Sequence, residues 1–153
     1  MSWWIADAHR TVTGDIPAPP RQVRDFYVNL ENITRVHPLV VSVRRTSGTE
    51  SAGASVRTYR VSDRIRLGPL PLRITYQTCI AVSASGTVTA QARQFPRVGL
   101  DSTVAFEPVD GGTRVTEALH ITAPRPLLPL TVTEAVNAHT AMLAAIRELF
   151  END

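Results

Sequence analysis

The sequence of 153 residues contains no lysine and a single cysteine, Cys79. One cysteine excludes an internal disulfide, and neither cysteines nor histidines show the spacing of a metal motif, so we expect no metal and a reducing, cytoplasmic location. The amino terminus has neither the charged start nor the long apolar segment of a signal peptide. Because no apolar run is long enough to cross a bilayer, we predict no stable membrane insertion.

Two further classes of function lack their sequence signals. All 16 basic residues are arginines, the formal net charge is only +2, and the arginines are spread from Arg10 to Arg147 instead of forming a strip with aromatic residues. This distribution argues against a nucleic-acid partner. The sequence also has no Gly-rich phosphate loop and no nucleophile elbow, so we expect no cofactor and no acyl transfer through an activated serine.

The chain is rich in apolar residues, which make up 43% of it, and no linker divides it. We therefore predict one domain over residues 1–153 with a substantial core. The most informative segment is 129–150, which predicts one long amphipathic helix with a histidine in the middle of its apolar stripe. The stripe comprises Val132, Val136, His139, Leu143, Ile146 and Phe150, with Met142 beside it.

The preceding segments alternate between strand-like runs and short turns. Residues 8–16 predict a first strand, and Pro20 then starts a short helix, which is followed by a second short helix over 31–36 that ends before Pro38. Six further strands are predicted over 40–46, 55–63, 70–82, 87–94, 100–107 and 114–122. Their connections carry turn residues: Ser47-Gly48, Ala52-Gly53, Gly68-Pro69, Ser85-Gly86, Val98-Gly99 and Asp110-Gly111-Gly112.

Connections this short indicate antiparallel hairpins, so the element order predicts an α+β domain with its helices on one face of the sheet. Strand parity assigns that face in the last two strands. The residues expected to face the long helix are Val115, Glu117, Leu119 and Ile121 in the last strand and Leu100, Ser102, Val104 and Phe106 in the strand before it.

Two titratable residues fall on these apolar faces. A buried imidazole requires a hydrogen-bond partner, so His139 is either a core histidine satisfied by the protein or a residue that contacts a ligand in a cavity. Glu117 either points into the concave side of the sheet or is solvated at the end of its strand. The position of His139 on the apolar stripe of the helix and that of Glu117 on the inward face of the last strand together suggest a His139–Glu117 pair inside the domain. Both residues are candidates for acid–base catalysis.

Other polar side chains give weaker signals. Tyr59 and Tyr76 combine an apolar ring with a hydroxyl donor, which suits either a ligand cavity or ordinary core packing. We expect His37 to be a solvated loop histidine, and His9 and His120 to have no clear partner.

The order of elements and four segments resemble the helix-grip superfamily, which includes START lipid-transfer domains, Bet v 1-like proteins and bacterial polyketide cyclase/dehydrase-like (SRPBCC) proteins. The segments are Ile16-Pro17-Ala18-Pro19-Pro20-Arg21-Gln22-Val23, Val36-His37-Pro38, Gly111-Gly112-Thr113-Arg114-Val115-Thr116 and the carboxyl-terminal helix. The resemblance implies a curved antiparallel sheet of about seven strands wrapped around the long helix, with two short helices between the first two strands. It also implies a cavity for an apolar or amphipathic small molecule. It places His37 near the mouth of this cavity, where the alternative to a solvated loop histidine is a residue that gates entry.

The first function expected from this resemblance is the binding of a lipid, polyketide or similar metabolite between the sheet and the last helix. The alternatives are a cofactor-free polyketide aromatase/cyclase or dehydratase that uses His139 and Glu117, and a groove that binds a peptide or protein; a homo-oligomer is left open. The residues expected to contact a ligand are Tyr59, Tyr76, Phe106, Glu117, Leu119, Val136, His139, Met142 and Leu143.

Overall fold

A computed structural model describes residues 3–51, 53–67 and 69–152, without the side chains of 65–67. It contains seven strands, two α-helices and one 3₁₀ helix. In chain order these are β1 (Ile5–Ile16), α1 (Pro20–Val28), the 3₁₀ helix (Leu30–Arg35), β2 (Val40–Ser51), β3 (Ala54–Leu67), β4 (Leu70–Val82), β5 (Val88–Gln94), β6 (Val98–Val109), β7 (Gly112–Pro124) and α2 (Leu128–Glu151).

All strands belong to one antiparallel sheet with the order β1-β7-β6-β5-β4-β3-β2. Each strand from β2 to β6 pairs with the next one along the chain, and β1 pairs with β7. The two short helices therefore connect the strands at opposite edges of the sheet. This arrangement is the curved sheet and long carboxyl-terminal helix of the helix-grip fold, so the predicted α+β class and element order are confirmed.

Two predicted turns are wrong. Ser47-Gly48 lies inside β2, which continues to Ser51 after an irregularity in its pairing with β3 between Arg45 and Ser47. Glycine in a strand often marks such a bulge, and the sequence signal for a bulge is the same as that for a turn. Val98-Gly99 likewise belongs to β6.

The connection between β5 and β6 lies a few residues earlier than predicted, around Pro96. The Phe95–Pro96 peptide bond is cis, and Arg97 has a φ of 71°. The other predicted turns fit better, because Gly86 and Gly111 both have positive φ. The turns predicted at Ala52-Gly53 and Gly68-Pro69 each include a residue outside the described ranges.

The long helix α2 packs mainly along β1 and less extensively on β7. Its buried residues include Met142, Leu143 and Ile146, which come from the predicted apolar stripe and its flank. Gly14 of β1 permits close approach of the helix, since a Cβ at this position would lie 3.1 Å from Cβ of Leu143.

The shorter helices complete the concave layer. The α1 helix packs on β6 and β7, and the 3₁₀ helix packs against β2. Because α2 concentrates on β1 and β7, the inner face of β3, β4 and β5 lies beside the helix and not directly beneath it. Neither α-helix within the described ranges has the length and apolar character needed to span a membrane.

Candidate functional site

A cavity of about 100 Å³ lies between the inner face of the sheet, α2 and the segment around the 3₁₀ helix. Small side chains on β4, β5 and β6 leave this space, because alanine, serine and threonine reach less far from the sheet than the valines and isoleucines around them. The lining residues are Tyr27, Leu30, Ile33, His37, Val40, Val61, Tyr76, Thr78, Ile80, Ala90, Ala92, Leu100, Ser102, His139 and Met142.

At one wall of the cavity, Glu117 forms the centre of a polar cluster. Its side chain is fully buried, and its Oε2 atom accepts a hydrogen bond from the Tyr27 hydroxyl. Nδ1 of His139 lies 3.1 Å from the same oxygen. The structure thus brings Glu117 and His139 together, as their positions in the sequence suggested, and it adds Tyr27 to the pair.

Each member of this cluster is held by a different element. Glu117 lies on the inner face of β7, where Val115 and Leu119 on the same face are also buried. Tyr27 is on the buried side of α1, and its ring makes an edge-to-face contact with Phe106 at a centroid distance of 5.5 Å. His139 lies near the middle of α2, with only 13% of its side chain exposed.

Burial and the neighbouring Glu117 carboxylate both raise the pKa of Tyr27, so its hydroxyl stays protonated and donates. The other carboxylate oxygen, Oε1, is buried and has no hydrogen-bond partner among the described residues. When the neutral His139 ring donates its Nδ1 proton to Glu117, its Nε2 is left unprotonated. The arrangement therefore provides an oriented imidazole that can accept a hydrogen bond or a proton.

His37 lines the same cavity and is not the solvated loop histidine expected from the sequence. Its ring makes an edge-to-face contact with His139 at 5.9 Å, and its Nδ1 accepts a hydrogen bond from the Leu39 amide at 3.2 Å. Burial, with a smaller effect of His139, lowers the pKa of His37 to about 4. The ring is therefore neutral at pH 7 and keeps its proton on Nε2.

A second polar pair involves Tyr76, whose hydroxyl lies 3.1 Å from both carboxylate oxygens of Asp63. Burial raises the pKa of Asp63 to about 6, and the hydrogen bond from Tyr76 partly opposes that rise. The pKa of Tyr76 is raised too, chiefly by burial. Tyr76 consequently presents a protonated hydroxyl at the wall of the cavity.

Of the residues predicted to contact a ligand, Tyr76, His139 and Met142 line the cavity. Glu117 does not line it but contacts two residues that do. Five others are not among its lining residues: Tyr59, Phe106, Leu119, Val136 and Leu143.

The packing explains why some of these five lie elsewhere. Tyr59 is buried with its hydroxyl 3.5 Å from the Val28 carbonyl oxygen, and Leu143 packs over Gly14. Strand and helix parity places a residue on the inner face, but the position of α2 along the sheet decides which inner residues border the space. Their role as ligand contacts stays a prediction.

Sequence reasoning did not select Tyr27 or Asp63. Tyr27 shares helical spacing with Val23, which predicts a buried position but not its contact with Glu117, 90 residues away in sequence. His9 and His120, expected to lack partners, are in fact stacked on each other on the outer face of the sheet.

The family model described as "Polyketide cyclase / dehydrase and lipid transport" matches residues 7–151. No curated protein sequence matches the chain. Solved structures with the same fold include Ara h 8.0201, which is 13% identical over 97% of this chain and 100% of that protein, with a TM-score of 0.73.

Two others have functional names. The Zhui aromatase/cyclase from a Streptomyces species is 16% identical, with 97% and 94% of the two chains covered and a TM-score of 0.65. A STAR-related lipid transfer protein from Xanthomonas axonopodis is 13% identical, with 99% and 96% covered and a TM-score of 0.64. At these identities the similarity shows the shared fold.

Proposed function

Since this chain belongs to the polyketide cyclase/dehydrase and lipid-transport family, we propose that it binds a hydrophobic or amphipathic small molecule between its sheet and α2. The observation that carries this proposal is the cavity over the inner face of the sheet, whose wall is mostly aliphatic and alanine side chains. Small-molecule sites typically combine such an apolar wall with a few placed polar groups.

The cavity is smaller than a typical ligand pocket. The cavity volume is about 100 Å³. Typical ligand pockets measure about 300–1,000 Å³. A lipid or polyketide therefore has to widen the space, and one border that it would have to displace is the 3₁₀ helix, which packs against the edge strand β2 and contributes Leu30 and Ile33 to the lining.

The polar groups favour an amphipathic ligand over a pure hydrocarbon. His37 supplies an Nε2–H donor, and His139 supplies an imidazole nitrogen oriented by Glu117. The Tyr76 hydroxyl, whose proton is donated to Asp63, supplies a hydrogen-bond acceptor. A carbonyl or hydroxyl of the ligand near these groups replaces water as their hydrogen-bond partner, while the apolar part covers Met142 and the alanines of β5. The ligand classes that fit are oxygenated chains such as fatty acids and polyketides.

The second candidate is a cofactor-free cyclase or dehydratase, and the observation that favours it is the contact between Glu117 and His139. In this reaction Nε2 of His139 accepts a proton from a carbon next to a ligand carbonyl, and the Glu117 carboxylate stabilises the imidazolium that forms. The Nε2–H group of His37, which lines the same cavity, donates a hydrogen bond to the oxygen that gains negative charge.

The binding proposal is tested by filling the cavity. In Ala92→Leu a larger side chain occupies the space, whereas Gln91→Leu adds the same side chain at the exposed neighbouring position. We expect native mass spectrometry of untagged wild type and Gln91→Leu to show a retained small molecule, and Ala92→Leu to retain at least tenfold less. Equal retention by both variants, or a co-purifying protein instead of a small molecule, would contradict the proposal.

The enzymatic candidate requires turnover. Incubating wild type with a poly-β-ketone thioester analogue and following aromatic product by absorbance should show product formation that His139→Gln reduces by 10²-fold or more, the usual size of a general-base contribution. Wild-type binding without product, or full product formation by His139→Gln, would exclude this mechanism.

We further propose that the protein acts in the cytoplasm without a nucleic-acid partner. The single cysteine and the scattered arginines support this location and this absence. Fractionation of expressing cells and a filter-binding assay with duplex DNA and single-stranded RNA test the two statements.

A further inference from the structure

The outer face of the sheet carries a second cluster of titratable side chains, formed by Asp7, His9 and His120. His9 on β1 and His120 on β7 are direct cross-strand partners. Asp7 lies two residues before His9 and therefore on the same face of β1. His120 alternates with Leu119 and Ile121, which are buried on the inner face, so the cluster lies on the opposite side of the sheet from the cavity.

The two imidazole rings are stacked parallel to each other. Their ring centroids are 4.4 Å apart, and their planes are within 2° of parallel. Both rings direct Nε2 towards one oxygen of Asp7: the separation from Oδ2 is 3.0 Å for His120 and 3.7 Å for His9. One ligand atom from each of the three residues lies within 4.8 Å of the others.

These separations match those around a small divalent cation. In a tetrahedral zinc site the metal–nitrogen and metal–oxygen bonds are about 2.0–2.2 Å, which places neighbouring ligand atoms roughly 3.3–3.6 Å apart. The observed 3.0 and 3.7 Å lie on either side of that range. Because the two rings are stacked in parallel planes, cation binding requires both exposed imidazoles to rotate until their Nε2 lone pairs point at one ion.

We propose that Asp7, His9 and His120 bind Zn²⁺ or another borderline divalent cation, with water in the remaining position. Two imidazole nitrogens and one carboxylate oxygen favour zinc, nickel and copper over magnesium and calcium, which prefer sets of oxygen ligands. Asp101 is the next residue across the sheet from His120, but its carboxylate is engaged by Arg93 at 2.7 Å. The site therefore has three protein ligands.

Cation binding here has a structural consequence. The β1 strand is at the edge of the sheet, and its only partner among the described strands is β7. A cation held by Asp7 and His9 from β1 and by His120 from β7 cross-links this edge strand to its single neighbour. Because the three ligands come together only in the folded chain, the cation also stabilises the fold, by an amount that rises with the logarithm of its concentration above the dissociation constant.

The experiment is a titration of untagged, chelator-treated protein with ZnCl₂ at pH 7.5, followed by isothermal calorimetry. We expect one equivalent to bind to wild type, and His9→Asn and His120→Asn each to weaken binding at least tenfold. The matched control is Asp15→Asn, which removes an outer-face carboxylate that pairs with Arg114 in the same β1–β7 ladder and should leave the affinity unchanged.

Two readouts separate this site from zinc binding elsewhere. Zn²⁺ should raise the melting temperature of wild type and Asp15→Asn but not that of the His9→Asn/His120→Asn double variant, and Mg²⁺ should raise none of them. If wild type binds no Zn²⁺ at millimolar concentration, or if the double variant binds it with wild-type affinity, the cluster is only a hydrogen-bonded surface group and the proposal is overturned.

Discussion

Removing the Tyr27 hydroxyl tests whether the buried Glu117 cluster contributes to stability in the way its geometry implies. The hydroxyl donates to a carboxylate that is fully buried, and Tyr27 itself is only 5% exposed. Tyr27→Phe leaves His139 as the only described hydrogen-bond partner of Glu117 Oε2. No solvent can replace the lost bond without opening the domain.

The expected cost follows from the charge on the acceptor. A hydrogen bond to a charged group contributes about 1.5–3 kcal/mol, whereas a neutral one contributes about 0.5–1.5 kcal/mol. We therefore expect Tyr27→Phe to lower the free energy of unfolding by about 2 kcal/mol. For a domain of this size that change corresponds to a decrease in melting temperature of roughly 4–8 °C.

The matched control is Thr113→Val. Thr113 is fully buried and its hydroxyl donates to the Ala18 carbonyl oxygen at 2.6 Å, so this variant also deletes a buried hydroxyl donor, but its acceptor carries no charge. We expect a cost of about 0.5–1.5 kcal/mol in urea unfolding followed by circular dichroism. If Tyr27→Phe costs no more than Thr113→Val, the Glu117 cluster does not have the energetic role assigned to it.

Two further predictions concern acid stability and backbone packing. The pKa of His37 falls from 6.5 to about 4 in the folded state, so its contribution to stability is present above pH 6.5 and is lost as the pH falls through 4. At about 1.4 kcal/mol per pKa unit this loss amounts to at most about 3 kcal/mol. Urea titrations between pH 7 and 4 should show a smaller decrease for His37→Asn than for wild type; equal decreases would contradict the assignment. The contribution of Asp63 to stability has the opposite pH dependence: its pKa is raised to about 6, so it lowers the free energy of unfolding as the pH rises above about 4. Asp63→Asn should remove this loss of stability. For packing, a Cβ at Gly112 would lie 2.1 Å from the Ile16 carbonyl oxygen, whereas a Cβ at Gly14 would meet a movable leucine side chain at 3.1 Å. Gly112→Ala should therefore cost more than about 2 kcal/mol in urea unfolding and exceed the cost of Gly14→Ala, and the reverse order would show that the backbone at Gly112 can shift freely.

Much of the fold could be predicted from the sequence because the local signals agree with the global arrangement. The predicted bounds of 70–82 match β4, and the apolar stripe around Ile146 identified α2 and its buried side. The error at Ser47-Gly48 arises because glycine signals a turn and a strand irregularity equally well. The error at Val98-Gly99 has a different cause, because the turn lies at 95–97 and Gly99 pairs regularly with Arg93 and Thr122.

The site was only partly predictable for a different reason. Parity places Glu117 and His139 on facing surfaces, but it carries no information about how far α2 lies from β3, β4 and β5. Parity alone therefore does not distinguish Tyr76, which borders the cavity, from Tyr59, which does not. The contact of Tyr27 with Glu117 and the stacking of His9 on His120 both depend on pairing between distant segments.

The most direct test of ligand binding between sheet and helix uses methyl NMR. Bound small molecules are removed from the purified protein with organic solvent, and spectra of the stripped protein are compared before and after this extract is added back. The cavity-lining methyls of Ala90, Ala92 and Met142 should shift, whereas the methyl of exposed Ala118 on the outer face of β7 should not. Shifts restricted to Ala118 and other outer-face methyls, or no shifts at saturating extract, would contradict the account.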